Sequence, residues 1–157
     1  MTVIQLPETG YVPTGEDRAS LDAWFAEYDA HSARRDVERM ADMAVFPLNL
    51  VSDDAAGNGR AAQWDRARFV AVMTRVMGHG QGDGDGGEGD GGDEGITFAS
   101  TRTPVFLSPA MAVVLTDSTM TTADGRTRQL RYADVLVRRN GTWAFQTMLQ
   151  SGWGDSL

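Results

Sequence analysis

Asp134 stands in the run Leu130-Arg131-Tyr132-Ala133-Asp134-Val135-Leu136-Val137-Arg138-Arg139, which otherwise has the character of a half-buried strand. A carboxyl where a strand expects an apolar side chain is a candidate for acid/base chemistry. Apolar walls and a neighbouring phenol disfavour its ionised form and move its proton affinity towards neutral pH. Tyr132 lies two residues earlier, on the same side of an extended chain, and supplies that phenol. Asp134 and Tyr132 are therefore the candidate catalytic pair. Two other placements stay open at this level. An Arg such as Arg102, or a dimer interface, could hold Asp134 as a structural group. Alternatively Ala133, Val135 and Val137, the cleaner apolar set, form the core face and Asp134 points outward.

Few other groups can carry chemistry. There is no cysteine, which excludes disulfides, thiolate metal sites and thiol nucleophiles, and His31 and His79 are the only histidines. Tyr28 and His31 are one helical turn apart and could relay a proton to Asp134, although a His near a helix C-terminus more commonly caps or faces solvent. Residues 79–95 are rich in Gly, Asp and Glu, a composition that invites a calcium reading. The loop pattern fails from Asp83 onward, because Gly87 offers no ligand at the fifth position and Glu88 replaces the glycine of the sixth. No metal site and no cofactor is expected.

Charge adds little. The net charge is −8, but residues 79–95 hold six acids and no Arg, which leaves 16 acids against 14 Arg elsewhere, or −2. A nearly balanced body does not suggest a nucleic-acid surface. All 14 cations are Arg, which fits a GC-rich genome as readily as any design. No stretch approaches the roughly 18 apolar residues of a membrane span, and Met1 to Pro13 lacks the basic start and apolar core of a secretory leader. A cytoplasmic protein without membrane or nucleic-acid partners is expected.

The elements that must position Asp134 are legible in the spacing. Residues 1–15 read as an arm. Leu21, Trp24, Phe25 and Tyr28 recur at i, i+3, i+4 and i+7 and predict a first helix. Asp36 caps a short second helix through Val37, Met40 and Ala41, stopped by Pro47. Phe46 to Ser52 predicts a strand, and the turn-rich stretch from Asp53 to Gly59 returns the chain through a short partner. Asp65 caps a third helix with Phe69, Val72, Met73, Val76 and Met77 on one face. Residues 78–95 hold 10 of the chain's 18 glycines and no apolar anchor, so they predict a flexible loop. Four strands follow, over 96–107, 110–122, 127–139 and 142–151, with Asp124-Gly125 and Asn140-Gly141 as hairpin turns. Three helices followed by an antiparallel meander make an α+β plan in one domain over 1–157.

That order, with the ending Tyr132-Ala133-Asp134-Val135-Leu136-Val137-Arg138-Arg139-Asn140-Gly141-Thr142-Trp143, resembles the NTF2-like (cystatin-like) superfamily over roughly residues 16 to 153. SnoaL-like polyketide cyclases and ketosteroid isomerases share such an ending. The resemblance implies a cone, in which a curved, mostly antiparallel sheet wraps the helices around a pocket for a small, partly apolar organic molecule. It also implies a homodimer through the outer sheet face. It matches Asp134 to a pocket-facing carboxylate, and it makes Trp24, Tyr28, Phe46, Asn49, Leu136, Gln146, Met148 and Gln150 the pocket lining. Matching the last strand from its hairpin turns Gln146, Met148 and Gln150 inward and Trp143 and Phe145 outward. Two positions depart from the isomerase pattern: Trp24 occupies the place of the helical tyrosine, and Phe46-Pro47-Leu48-Asn49-Leu50 carries no acid where the isomerases have their base. The expected function is acid/base chemistry by Asp134 on a carbonyl compound; the alternative is a non-catalytic ligand-binding or dimeric module.

Overall fold

The computed structural model describes residues 10–78 and 97–157, so the acidic glycine-rich segment, including His79, lies outside the described residues. Helix α1 spans Gly15–Ala33, α2 Val37–Asp42 and α3 Arg66–Gly78; the strands are β1 Ala44–Asp53, β2 Gly59–Trp64, β3 Thr97–Ser108, β4 Met111–Thr121, β5 Thr127–Arg139 and β6 Thr142–Gln150. They form one six-stranded sheet in the order β2-β1-β6-β5-β4-β3, antiparallel except where β1 runs parallel to β6. The architecture is α+β, with three helices packed on a curved, unclosed sheet.

Each helix begins where its sequence supplies an oxygen for free backbone N–H groups. The Thr14 hydroxyl accepts from the Asp17 backbone N–H at 3.1 Å while Asp17 accepts from the Thr14 N–H at 2.9 Å, a reciprocal capping box. Helix α1 thus starts at the last residue of the expected arm, and Tyr11, also in that arm, donates to Asp17 at 2.5 Å. Asp36 caps α2 and Asp65 caps α3, as their spacing predicts. The two hairpin turns differ in kind. At Asn140-Gly141 both residues have positive φ, 51° and 80°, as a type I′ turn requires. At Asp124-Gly125 only Gly125 does, and Thr122 and Arg126 close a longer loop around it.

The core lies between the helices and one face of the sheet. Leu21, Trp24 and Phe25 of α1, Met40 of α2 and Phe69 and Val72 of α3 pack against Leu48, Ala112, Val114, Leu136, Trp143 and Phe145. The expectation that Trp143 and Phe145 point outward is wrong. Both are buried in this core, and the Trp143 indole N–H donates to Ser20 Oγ of α1 at 3.0 Å. The hairpin pairs Trp143 with Arg138 and Phe145 with Leu136, on the face of Asp134, and a β-bulge in β6 then lets Met148 and Gln150 face inward as well. Val135 pairs with Thr147 and Leu136 with Phe145, so Gln146 is an extra residue that breaks the alternation. Counting by twos from the hairpin inverts the face at that point.

Candidate functional site in the sheet interior

Asp134 lies on the sheet face that the helices cover and is 6% exposed. Strand pairing sets its surroundings: Val114 of β4 and Met148 of β6 are its direct neighbours. One row along, Arg102, Thr116, Tyr132 and Gln150 follow one another across β3, β4, β5 and β6. The cluster is therefore a polar patch beside the apolar row Phe106, Ala112, Leu136 and Phe145. Ala133, Val135 and Val137 alternate with this set and occupy the outer face, so the competing register is not the one adopted.

Helix α1 supplies the opposite wall. Trp24, Phe25 and Tyr28 recur at helical spacing and meet Phe145: the Trp24 and Tyr28 centroids lie 4.7 and 4.8 Å from that of Phe145. Trp24 and Tyr28 also stack at 6.2 Å. This wedge of rings holds the Tyr28 phenol within the field of Asp134.

The electrostatics follow from burial. Among the described residues the Asp134 carboxyl makes no hydrogen bond, and burial pushes its pKa from the ordinary 3.8 up to about 7, against the pull of Arg102. Tyr28 is driven above the ordinary 10 first by burial and then by the charges of Asp134, Tyr132 and Asp29, so it stays protonated across the physiological range. Burial likewise raises Tyr132, which Arg102 opposes. Arg102 donates to both carboxylate oxygens of Asp29 on α1 at 2.7 Å each and lies 4.2 Å over the Phe25 ring. Its Nε and the Thr116 hydroxyl are buried with no partner among the described residues.

The expected lining residues divide between two places. Trp24, Tyr28, Phe46, Leu136 and Met148 lie in or against the core, and Gln150 sits exposed at the end of the Tyr132 row. Asn49 alternates with the buried Leu48 and Leu50 and faces outward, donating to Thr147 at 3.4 Å and accepting from Gln63 at 3.0 Å. Gln146, the bulge residue, accepts from Thr147 at 2.6 Å and joins that outer ladder. Asn49 and Gln146 thus belong to a different polar group from Asp134. His31 interacts with Glu27 and Arg34 on its own helix and its C-terminal edge. Arg102, Asp29 and Thr116 complete the cluster. Arg102 was legible only as one neighbour among several, and nothing local in the sequence marks Asp29. A surface depression of about 340 Å³ is lined in part by Val51, Leu115, Ala133 and Leu149 of the outer face and reaches Tyr132 and Gln150 at the end of their strands, and another of about 310 Å³ lies between α2 and α3. The interior cluster is distinguished by unpaired buried groups rather than by a surface cleft.

No family model matches the chain, and no curated protein matches it in sequence. Solved structures do match in shape. An NTF2-like protein with a cystatin-like fold from Novosphingobium aromaticivorans aligns over 87% of this chain and 81% of its own at 14% identity, with a TM-score of 0.54. The chain has the NTF2-like fold. An NTF-2 like protein of unknown function from Shewanella oneidensis MR-1 covers 86% of this chain and 98% of its own at 13% identity, TM-score 0.59. A ketosteroid isomerase-like protein from Erwinia carotovora atroseptica SCRI1043 covers 88% of this chain and 97% of its own at 16% identity, TM-score 0.53. In the NTF2-like frame, the Asp134 cluster occupies the space between α1 and the sheet. Among the described residues, no helix is long and apolar enough to cross a membrane.

Proposed function

We propose that this chain accepts a small, partly apolar organic molecule between α1 and the sheet, and that Asp134 performs acid/base chemistry on a carbon next to a carbonyl of that molecule. The observation that carries the reading is the unpaired, buried Asp134 carboxyl with a pKa of about 7. Such a group holds both its acid and its base form near neutral pH, the condition for efficient proton transfer. Tyr28, which stays protonated, is the donor suited to negative charge developing on the carbonyl oxygen, and Tyr132 is the second. Trp24, Leu136 and Met148 supply apolar contact. The likeness in shape to a ketosteroid isomerase-like protein agrees with this chemistry and does not choose the substrate.

The test is deuterium incorporation in D2O next to the carbonyl of a panel of hydroxyketones and 1,3-diketones, followed by proton NMR. The wild-type protein exchanges at least one of them faster than buffer, and Asp134→Asn loses that acceleration while remaining folded. Equal rates for wild type and Asp134→Asn across the panel reject catalysis.

A second feature supports a reading in which assembly matters. Val51, Val105, Leu107, Met111 and Leu115, all exposed by between 38 and 56%, stand on the strands of the sheet, and the outer face also carries Val113, Val135 and Leu149. A second copy of the chain is the partner proposed for this face. If Asp134→Asn costs no activity and this face alone is functional, the protein is a dimeric binding module.

A further inference from the structure

Arg102 stands between two carboxylates and pairs with the more exposed one. A buried, unpaired carboxylate is the costlier of the two to leave alone, so a free guanidinium in this position would be expected to turn to Asp134. It does not. Both of its terminal nitrogens are taken by Asp29, a side chain 53% exposed on α1, at 2.7 Å each. Its Nε is buried and donates to nothing among the described residues. Its plane rests on Phe25, four residues before Asp29 on the same helix, at 4.2 Å. Helix α1 therefore holds the guanidinium twice, by a ring below and a carboxylate at its tip, one helical turn apart.

We propose that Asp29 is a positioning residue for Asp134: by clamping Arg102 against α1 it keeps the guanidinium off the interior carboxyl and leaves that carboxyl free to carry a proton. This rests on the acid/base reading of Asp134. The titratable and charged groups in the field of Asp134 are Tyr28 from α1, Arg102 from β3, which Asp29 of α1 holds, and Tyr132 from its own strand, while its neighbours on β4 and β6, Val114 and Met148, are neutral. Arg102 is the one cation among them. Where its charge is held decides whether Asp134 is a proton carrier or half of an ion pair.

The experiment is a carboxyl carbon-13 NMR titration of aspartate-labelled protein, with the Asp134 resonance assigned from its absence in Asp134→Asn. Asp29→Asn frees Arg102 and lowers the Asp134 midpoint by about one to three pH units, the shift expected of a carboxyl that gains a cationic partner. Removing a negative charge lowers the midpoint somewhat by itself, so the deciding comparison is made in Arg102→Met. There Asp29→Asn shifts the midpoint far less than in the wild-type background. An equal shift in both backgrounds, or none in either, overturns the proposal. Asp29 is half-exposed on a helix, so Asp29→Ala, with the better helix former, is the second variant if the first unfolds. The titration does not depend on turnover: if the acid/base reading fails, deuterium exchange is unchanged in Asp134→Asn while the midpoints still report the clamp.

Discussion

Tyr28 of α1 and Phe145 of β6 meet edge to face with ring centroids 4.8 Å apart and planes inclined at 72°. That contact couples the helix that carries one phenol of the cluster to the strand next to the one that carries Asp134. Just beyond Phe145, the bulge at Gln146 breaks the alternation and lets Met148 face the interior together with Phe145. The bulge thereby places the apolar Met148, and not the hydroxyl of Thr147, opposite Asp134.

Ionising Asp134 is expected to weaken the fold. Its folded pKa of about 7 lies above the ordinary 3.8, so the folded state binds a proton that the unfolded state has already released. The stability this group contributes is complete below about pH 4, is lost as pH rises through about 7, and is level above that. At about 1.4 kcal/mol per pH unit the loss is of order 4 kcal/mol. Asp134→Asn therefore unfolds at higher urea than wild type at pH 8, and the advantage shrinks as pH falls towards 4. Parallel urea curves with a pH-independent difference would refute the assigned burial.

Exchange catalysed by Asp134 as a base should follow its ionisation. The rate rises with pH through about 7 and then holds, because Tyr28, raised above its ordinary 10, does not titrate in that range. A pH profile of deuterium incorporation checks this, and a rate flat from pH 5 to 9 speaks against Asp134 as the base.

Tyr28→Phe separates ring from phenol. The ring contacts with Trp24 and Phe145 survive, so stability changes by less than about 1 kcal/mol, whereas Tyr28→Ala, which empties the wedge, costs roughly 3–5 kcal/mol. If Tyr28 is the donor to the carbonyl oxygen, Tyr28→Phe loses exchange activity at nearly unchanged melting temperature. Retained activity would assign that donor elsewhere.

Deleting Gln146 removes the bulge and restores strict alternation through β6. Leu136 still pairs with Phe145 and Val135 with Thr147, now as consecutive rows, so Trp143, Phe145, Met148 and Gln150 all keep their inward faces and the deletion variant is expected to unfold cooperatively, read by circular dichroism on heating. Gln146→Ala keeps the residue count and loses the bond from Thr147; it stays folded. A deletion variant that loses cooperative unfolding while Gln146→Ala keeps it would show that the fold needs the bend of the bulge and not only the facing of the side chains.

Leu115→Arg places a charge in the apolar outer face without touching the core. Wild-type protein is expected to elute with twice the chain mass in light-scattering chromatography, and the variant with the chain mass. A monomeric wild type removes the dimer from the proposal.

Local chemistry determined much of this protein. Asp36 and Asp65 announce their helices because a short oxygen at the N-cap meets backbone N–H groups within three residues, and Asn140-Gly141 announces its hairpin because positive φ is permitted there. The four strands of the meander, and Asp134 as the residue that breaks the apolar pattern of β5, were legible for the same reason. Tertiary structure alone decided which way the strands faced. Ala133, Val135 and Val137 are as apolar as a core face, and only packing against α1 puts Leu136 and Asp134 inside instead. One extra residue at Gln146 lets Trp143 and Phe145 share the inner face with Met148 and Gln150, and a bulge depends on the partner strand, which a single run of sequence does not contain. Asn49 left the interior group because β1 alternates about the buried Leu48 and Leu50. Arg102 and Asp29, 73 positions apart in the chain, meet only because α1 crosses the sheet at β3, a relation that no local spacing encodes.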